Sequence, residues 1–450
     1  MSLDVRESAE AKKSPCWLFR NASRFSTEQN RLINLFFYVI LAGTAVAMLG
    51  IILYYVYAFA SLYHGNEQFN WLLGIFSDFV SIMNAALADA PYVLEDGASY
   101  PPIAIMVLYP FAWICKDVFA SYADQEWVNI DELTSQVILH KEFWIALVLF
   151  FLISIVSILL IVIRMYKPTP MAALKISLTL LLSAPCVYAI MRGNTIYFAL
   201  IFLLLFLLLY KDSRPWVREI AYLCLVIAGS IKIYPLFFGV LLLKEKRFFA
   251  SFRVAVYFFV LFFLSFHFFS GGADGMEPFF ENLGGFMSSD ARLLSLRNLS
   301  VTSLLYKLFW LISPAATETV AFTATNLALL VLIFALATVT AIATRSRLSC
   351  MIIASGIIVL IPTISYFYIL IFELIPFLEF LRSYDTLTQW KQRLYTVLFL
   401  FLFFTFCLLP QCFILHSAVV IAMMVIEEKE VLGKELLPRL RKRSKPTPSA

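Results

Sequence analysis

Charged residues are scarce in this chain. They make up 14% of its 450 residues, whereas hydrophobic residues make up 61%, and the mean hydropathy is +0.84. Soluble domains carry a larger charged share, so this composition excludes a water-soluble globular protein. The sequence also lacks the short alternating strands, separated by turns, of a membrane-spanning barrel. Its long uncharged runs predict an all-α polytopic membrane protein.

Motifs of common soluble enzymes are missing as well. The seven cysteines are scattered without a CxxC pair and the four histidines have no metal-ligand spacing, so neither a disulfide framework nor a metal cage is indicated. The sequence has no P-loop, dinucleotide fingerprint, HExxH or GxSxG. No cofactor is predicted, while dependence on a divalent cation stays open. Much of the net charge of +5 lies in the tail "RLRKRSK", which indicates a cytoplasmic end or a contact with anionic lipid rather than a nucleic-acid site.

The early apolar runs set the direction of the chain across the membrane. Leu35–Ala60 and Phe143–Ile163 are each long enough to cross, at about 20 residues per crossing. The run Tyr100–Cys115 is shorter and opens with two prolines, which fits a re-entrant or interfacial helix. If this run does not cross, the basic loop that contains Arg164 and Lys167 lies in the cytoplasm, as the positive-inside rule prefers.

The same assignment of loops to the two sides of the membrane predicts a broken helix in the middle of the chain. Ile220–Leu243 begins and ends at basic cytoplasmic loops, and we expect two half-length helices that meet at Lys232 and Pro235, because proline interrupts a helix. Further segments are expected at Ile176–Met191, Thr195–Tyr210, Val254–Ser270, Val320–Ala343, Leu348–Phe372, Leu394–Leu409 and Cys412–Ile426, with Leu374–Leu381 as a short return half. The prediction is about twelve membrane segments with both termini cytoplasmic.

These segments divide the chain into three parts. Residues 1–34 form a cytoplasmic N-terminal segment that does not resemble a signal peptide, residues 35–426 a transmembrane domain, and residues 427–450 a basic cytoplasmic tail. Two large outer loops, 61–142 and 271–314, carry most of the extracytoplasmic polar residues. Together they can enclose a site at the boundary between lipid and water.

The first candidate catalytic residue is Asp78, in "FSDFVSIMNAAL". Its neighbours Phe79, Val80 and Met83 approximate one apolar helix face. A carboxylate at an apolar boundary has a raised pKa and suits a general base. The alternative is a solvated acid on an interfacial helix.

Four basic residues are candidates for an anion site. Arg192 lies at the outer junction of two segments and Lys232 lies near the middle of another. A cation at membrane depth usually faces a cavity and pairs with an anion, such as a lipid phosphate. Arg292 and Arg297 in the second outer loop extend this site or are ordinary solvated arginines. For Arg192 and Lys232 the alternatives are snorkelling to the interface or pairing with a carboxylate.

The order of several short motifs resembles the GT-C superfamily of integral-membrane glycosyltransferases, and in particular family GT87, which includes polyprenyl-phosphate-mannose-dependent α-1,2-mannosyltransferases. No single motif is specific, and the shared order and spacing over residues 78–376 carry the resemblance. The motifs are an early aspartate (Asp78), "DAPY" (Asp89 to Tyr92), "YPP" (Tyr100 to Pro102), "RGN" (Arg192 to Asn194), "AGSIKIYP" (Ala228 to Pro235), "LRNLSVTSLL" (Leu296 to Leu305) and "IPTISYFYILIFELIP" (Ile361 to Pro376).

The resemblance implies a GT-C fold with extracytoplasmic loop helices and an inverting transfer from a polyprenyl-phosphate sugar to a glycolipid or glycan acceptor. Asp78 would be the general base, and Arg192, Lys232 and Arg297 would bind the donor phosphate. The substrate cavity would be lined by Asp89, Tyr92, Tyr100, Pro101, Asn194, Tyr234, Asn298, Ser365, Tyr366 and Tyr368. The implied location is a bacterial cytoplasmic membrane.

Two departures from the family pattern affect the choice of sugar and acceptor. Asn194 stands where the family commonly has glutamine, and Tyr366 and Tyr368 stand where it often has a tryptophan and a histidine. Two other classes remain as alternatives at this stage. A transporter or lipid-linked glycan flippase also uses a broken helix with a buried cation, and a lipid-linked glycan polymerase or ligase also works at the outer face.

Overall fold

The computed structural model describes residues 25–62, 75–93, 97–122, 130–404 and 413–438. Predictions for the N-terminal segment before Phe25 and for the basic tail after residue 438 lie outside these ranges. Within the described ranges every regular element is helical, and the one bridge between extended residues pairs Asn298 with Tyr366. The prediction of an all-α chain is confirmed for this part of the protein.

Twenty α-helices follow one another along the described chain. They are α1 Thr27–Leu62, α2 Ser77–Leu87, α3 Pro102–Ile114, α4 Lys116–Ala120, α5 Ile130–Val137, α6 Lys141–Tyr166, α7 Pro170–Leu181, α8 Ala184–Arg192, α9 Ile196–Leu209, α10 Pro215–Ile231, α11 Val240–Lys244, α12 Phe248–Leu264, α13 Met276–Ser288, α14 Asp290–Leu294, α15 Val301–Ile312, α16 Val320–Ala343, α17 Arg347–Leu360, α18 Leu374–Ser383, α19 Gln389–Phe403 and α20 Phe413–Glu430. Short 3₁₀ turns join several of them, notably Tyr234–Gly239 and Phe367–Glu373, and a π-helical turn, Val431–Leu436, follows α20.

Four helical stretches of the described chain are long and apolar enough to cross a membrane. They are Thr27–Gly50, Lys141–Tyr166, Phe248–Phe268 and Val320–Ala343, and the bent pair α7 and α8 would be a fifth. Several other apolar helices have only 10 to 17 residues. The protein is therefore a multi-helix membrane protein, while the count of about twelve segments stays a prediction.

The helix break expected at Lys232 is confirmed. Helix α10 ends at Ile231, Lys232 has an extended backbone, and a 3₁₀ turn begins at Tyr234 with Pro235 as its second residue. Proline has no N–H to continue the helix, and its ring clashes with the carbonyl four residues earlier. At the break, the backbone and the side chain of Lys232 leave the regular helix, whereas a continuous helix would present only the outer surface of its side chains.

Two segments that we predicted as continuous are divided. Ile176–Met191 falls on α7 and α8, which are bent by 57° at Leu182 and Ser183. The cause is Pro185, which opens α8 and cannot follow the last turn of α7. The segment expected over Leu348–Phe372 is divided in the same way, because α17 ends at Leu360, two residues before Pro362.

The two segments predicted to be outer loops fold against each other. In the first loop, α2 and α3 pack as an antiparallel pair, with the Phe79 and Phe111 rings 6.4 Å apart. The Asn282 side-chain amide in the second loop donates to the carbonyl of Tyr92 in the first at 2.9 Å. The backbone N–H of Ser270 donates to the carbonyl of Asp89, also at 2.9 Å. These contacts fix the first loop over the bundle and position the start of α2.

Candidate active site

Asp78 lies in the first turn of α2, and the residues before it fix its position. Phe76 has a left-handed backbone (φ 64°) and its N–H donates to the carbonyl of Met191 at 2.7 Å. The apolar face of α2 packs into the core through Phe79, Val80 and Met83, which are fully buried. The start of α2 is therefore attached to the end of α8, and the Asp78 carboxylate points at the turn that follows α8.

The turn after α8 is the "RGN" motif. Gly193 has φ 62°, the left-handed conformation that commonly ends a helix. A Cβ atom on Gly193 would lie 2.6 Å from the Cβ of Phe79, so the glycine also permits the close approach of α2. Asn194 follows, fully buried, with its side-chain oxygen accepting from the Ile196 N–H at 3.0 Å.

The carboxylate of Asp78 is held by two residues of this turn. Its Oδ1 forms an ion pair with Arg192, and its Oδ2 accepts a hydrogen bond from Asn194 Nδ2 at 2.7 Å. Asp78 is only 8% exposed. The alternative of a solvated interfacial acid is therefore wrong, whereas the alternative that Arg192 pairs with a carboxylate is confirmed.

Lys232 approaches the same place from the broken helix. Its Nζ lies 4.6 Å from the centre of the Tyr100 ring and 6.0 Å from that of Tyr368, within the range of cation–π attraction. The charge of Asp78 also acts on it. Among the residues that the structure describes, no carboxylate lies within ion-pair distance of Lys232.

A wall of tyrosines completes the site. Tyr188 stacks on Tyr368 with ring centres 6.4 Å apart, and Tyr366 meets Tyr368 at 6.2 Å. The charge of Asp78 acts on the side chains of Tyr100, Tyr188, Tyr366 and Tyr368, which puts these phenols within electrostatic reach of one carboxylate. Tyr234 borders the wall on the far side of Lys232 and packs against Phe372 at 5.7 Å.

The two arginines of the second outer loop lie at the edge of this cluster. Arg297 is exposed and lies within electrostatic reach of the Tyr188 side chain. Arg292 rests on the Phe286 ring, 3.7 Å from its centre, and donates to the Phe286 carbonyl at 3.3 Å. Both charges act on tyrosines of the wall. The structure thus brings most of the predicted basic residues to one side of Asp78.

Asn298 and Ser365 do not line the cavity as the resemblance implied. The Asn298 side chain is buried, accepting from the N–H groups of Ser365 (2.9 Å) and Ser300 (3.2 Å) and donating to the Thr363 carbonyl at 3.1 Å. The Ser365 hydroxyl donates to the Val359 carbonyl at 2.6 Å. These residues connect the second outer loop to the chain after α17 and so support Tyr366. Asn298 also begins an "NLS" triplet, but a buried amide in this network cannot accept a glycan.

Three residues of the first loop have supporting or separate positions. Tyr92 is buried, and its hydroxyl donates to the Tyr100 carbonyl at 3.2 Å; burial raises the pKa of this phenol and keeps the donor protonated. Pro101 caps the start of α3 and directs Tyr100 toward the site. Asp89 is exposed beyond the other end of α2, about 16 Å from Asp78 by helical rise.

Tyr188 was not predicted from the sequence as a residue of the site. It lies four residues before Arg192 on α8, and residues at this spacing share a helix face. The spacing from Arg192 was the available signal. By itself it could not indicate that this face of α8 meets Phe367 and Tyr368 from a segment far along the chain.

An apolar groove of about 670 Å³ opens next to the site. It starts at Ile233 and Tyr234, directly after Lys232, and runs toward Leu243 and Ser251. Its walls come from α12, α16 and α17 and from the 3₁₀ turn, and they include Phe237, Val254, Phe258, Phe334 and Ile357. A cavity with this lining accommodates a hydrocarbon chain.

The described residues contain no group of three or more His, Cys, Asp and Glu side chains arranged to hold a metal ion.

Comparison with known proteins gives one match. The model of glycosyltransferase family 87 matches residues 99–363, well over half of the 450-residue chain. The matched range contains the RGN turn, Lys232 and the tyrosines Tyr100 to Tyr234 of the site, while Asp78 precedes it and Tyr366 and Tyr368 follow it. No curated protein and no solved structure matches the chain.

Proposed function

This chain belongs to glycosyltransferase family 87 and is a membrane glycosyltransferase, and we propose that it transfers a sugar from a polyprenyl-phosphate donor to a glycolipid or glycan acceptor. The observation that carries this proposal is the Asp78 carboxylate, buried among several cations of which Lys232 has no ion-pair partner in the described chain. An anion is therefore required to complete the site.

The phosphate of the donor is the anion that we assign to this position. Arg192 presents a fork that matches two phosphate oxygens, and Lys232 adds a point charge. Arg297 extends from the loop above. Negative charge grows on the phosphate as its bond to the sugar breaks, and fixed cations stabilise this charge without having to reorganise.

Asp78 is the proposed general base. The acceptor hydroxyl loses its proton to Asp78 while its oxygen attacks the anomeric carbon from the face opposite the phosphate, and the polyprenyl phosphate leaves with the electron pair of the broken C–O bond. The configuration at the anomeric carbon is therefore inverted. Each carboxylate oxygen has a second acceptor position beyond its bond to Arg192 or Asn194, so a substrate hydroxyl can still reach Asp78.

The ion pair of Asp78 with Arg192 gives the order of events. In the structure Arg192 forms an ion pair with Asp78. A donor phosphate competes for the same guanidinium group. We propose that donor binding draws Arg192 away from Asp78 and so frees the base only when a sugar is in place.

The groove beside Lys232 is the proposed path of the polyprenyl chain. It begins where the phosphate is assigned and is lined by apolar side chains of membrane-embedded helices. The donor would enter from the bilayer and keep its chain in the groove while its head reaches the tyrosine wall. By the loop charges, this site faces outward from the cytoplasmic membrane and both termini face the cytoplasm.

A transfer assay tests the proposal. The purified chain in nanodiscs is given radiolabelled polyprenyl-phosphate mannose, or the same lipid carrying another hexose or a pentose, with a membrane-lipid extract as acceptor. Asp78→Asn is run beside the native chain, and Asp117→Asn, which changes an exposed carboxylate of the same loop, is the matched control. We expect transfer by the native chain and the control, and a loss of at least about a hundredfold in Asp78→Asn.

The result for Asp78→Asn separates a base from a merely structural group. If Asp78 is the base, donor binding measured by equilibrium filtration stays intact while transfer is lost. Transfer at the native rate by Asp78→Asn would refute the base, and donor binding by none of the lipid-linked sugars would refute the donor class.

A further inference from the structure

A second charged pocket lies at the opposite end of α10. It has a volume of about 480 Å³ and is bounded by the first turns of α10 and α12. Arg218 on α10 lies 14 residues before Lys232, a helical rise of about 21 Å. The pocket is therefore separate from the candidate active site, and it includes the loop "KEKR", one of those whose charge indicates the cytoplasmic face.

Four basic side chains line this pocket: Arg218, Lys246, Arg247 and Arg253. Only two carboxylates balance them. Glu219 pairs with Arg253, and Glu245 is shared between Arg247 (3.2 Å) and Lys211 (2.7 Å).

Arg218 and Lys246 have no carboxylate within ion-pair distance in the described chain. Arg218 instead donates to the backbone carbonyls of Asp212 (3.1 Å) and Ser213 (3.2 Å). Lys246 is exposed and has a left-handed backbone, φ 59°. The Nε of Arg253 is buried without a hydrogen-bond partner in the described chain. The pocket thus has two basic side chains outside any ion pair of the described chain, of which Arg218 also interacts electrostatically with Asp212, and a spare donor at Arg253.

Aromatic side chains surround the pocket at its edge. Phe248 and Phe249 line the pocket and are 64% and 73% exposed, although each is large and apolar. Aromatic rings at the ends of membrane helices typically lie at the level of the lipid headgroups. The start of α12 adds the positive end of a 17-residue helix whose first turn has no side-chain cap. Basic charge and exposed aromatics therefore occur together where a headgroup would lie.

We propose that this pocket binds the phosphate of an acidic phospholipid from the cytoplasmic leaflet. The phosphodiester contacts Arg218 and Lys246, and the acyl chains lie against Phe248 and Phe249. Basic pockets between membrane helices on this face are suited to anionic headgroups. A soluble phosphate would use the same cations but gain nothing from the exposed rings.

The proposal is tested with the full chain in detergent micelles. Binding of fluorescent dioleoyl-phosphatidylglycerol is compared with that of dioleoyl-phosphatidylcholine, and glycerol 3-phosphate is added as a soluble competitor. We expect about thirtyfold weaker binding of phosphatidylglycerol by Arg218→Gln/Lys246→Gln and about fivefold weaker binding by Lys246→Gln. The single variant changes an exposed side chain, so it keeps the test valid if the double variant fails to fold.

The matched control is Arg345→Gln/Arg393→Gln, which removes the same charge from two exposed positions outside the pocket. We expect the control to bind within about twofold of the native chain, since it leaves the pocket unchanged. Native affinity in the folded Arg218→Gln/Lys246→Gln variant, or equal binding of phosphatidylcholine, would overturn the proposal. Competition by glycerol 3-phosphate at the concentrations at which the lipid binds would overturn the assignment to a lipid. None of these measurements depends on sugar transfer.

Discussion

Two of the charged clusters in the described part of this apolar bundle are organised in opposite ways. The first is the candidate active site around Asp78. The second, which we call the inner brace, consists of Ser349, Lys391, Tyr395, Glu427 and Glu430, on α17, α19 and α20. In the brace Glu427 is fully buried and accepts from Ser349 Oγ at 2.5 Å, from Lys391 Nζ at 2.7 Å and from the Tyr395 hydroxyl.

The inner brace satisfies its own charges. Lys391 bridges Glu427 and, at 2.5 Å, Glu430, which also pairs with Lys434. The active site does not, because one carboxylate faces several cations and Lys232 contacts only aromatic rings among the described residues. A cluster that closes on itself connects helices, whereas a cluster with charge to spare needs a ligand. The two clusters should therefore respond differently to loss of their lysines.

The largest effect on stability is expected from Lys391→Met. This change leaves Glu427 buried without its cation, and breaking a buried pair costs about 3–5 kcal/mol. We expect a lower midpoint of thermal unfolding in detergent. In the protein that remains folded, the rate of sugar transfer should be close to native.

The matched control for this change is Lys434→Met, which removes an exposed partner of the same cluster. An exposed pair at this helical spacing contributes only about 0.3–0.5 kcal/mol. Equal midpoints for Lys391→Met and Lys434→Met would contradict the description of the brace as a structural connection.

Lys232→Met should have the opposite effect, with a lower rate of sugar transfer and no loss of stability. Removal of a preorganised positive group from a developing anion lowers a rate by about 10²–10³. Stability should be unchanged or higher, because an apolar side chain replaces a cation that has no ion-pair partner in the described chain. The measurements are initial rates of transfer and the unfolding midpoint of the same preparation.

Lys116→Met is the control for Lys232→Met. Lys116 also lies over an aromatic ring, that of Trp113 at 4.3 Å, but it is exposed and outside the site. We expect native transfer from this variant. If Lys232→Met loses stability and keeps its transfer rate, Lys232 is a structural residue and the contrast with the brace disappears.

The sequence predicted one of these clusters and not the other. Lys232 could be found because a cation and a proline interrupt an otherwise apolar run, and both act locally on the helix. Asp78 was predicted from the apolar helix face beside it and Arg192 from its place at the junction of two segments, but their ion pair joins residues 114 positions apart. The inner brace gave no local signal, since Lys391 and Glu427 each resemble an ordinary residue near a helix end.

Long-range hydrogen bonds also explain why two predicted cavity residues have another position. The "NLS" and serine motifs place Asn298 and Ser365 in the right order along the chain. Order does not indicate the direction of a side chain, and both side chains turn inward to backbone groups. The short return half expected at Leu374–Leu381 corresponds to α18, whereas the separate 3₁₀ turn Phe367–Glu373 was not predicted, because hydropathy continues through the loop that these bonds support.

Asn298→Ala tests whether Asn298 supports the loop rather than lining the cavity, and its effect on stability should be intermediate. The change leaves the N–H groups of Ser365 and Ser300 without their acceptor, and each unsatisfied buried group costs about 1–3 kcal/mol. We expect a lower unfolding midpoint. The rate of sugar transfer should fall only to the extent that the loss of this support displaces Tyr366.

Asn326→Ala is the control, because the buried side-chain oxygen of Asn326 has no hydrogen-bond partner in the described chain. This variant should unfold at or above the native midpoint. A native midpoint for Asn298→Ala, with sugar binding lost, would instead return Asn298 to the substrate cavity.

The smallest change in this series is Gly193→Ala, a single methyl group between the two halves of the active site. Alanine at φ 62° costs about 1–2 kcal/mol, and its Cβ would meet the Cβ of Phe79 at 2.6 Å. Because Phe79 follows Asp78, α2 must shift away from Arg192 and Asn194, and we expect transfer to fall about tenfold or more. Gly284→Ala is the control, since nothing lies within 4 Å of a Cβ there and alanine favours the helix. Equal transfer by the two variants would mean that the distance between α2 and the RGN turn does not limit the reaction, and Asp78 would then act without the exact support that this turn provides.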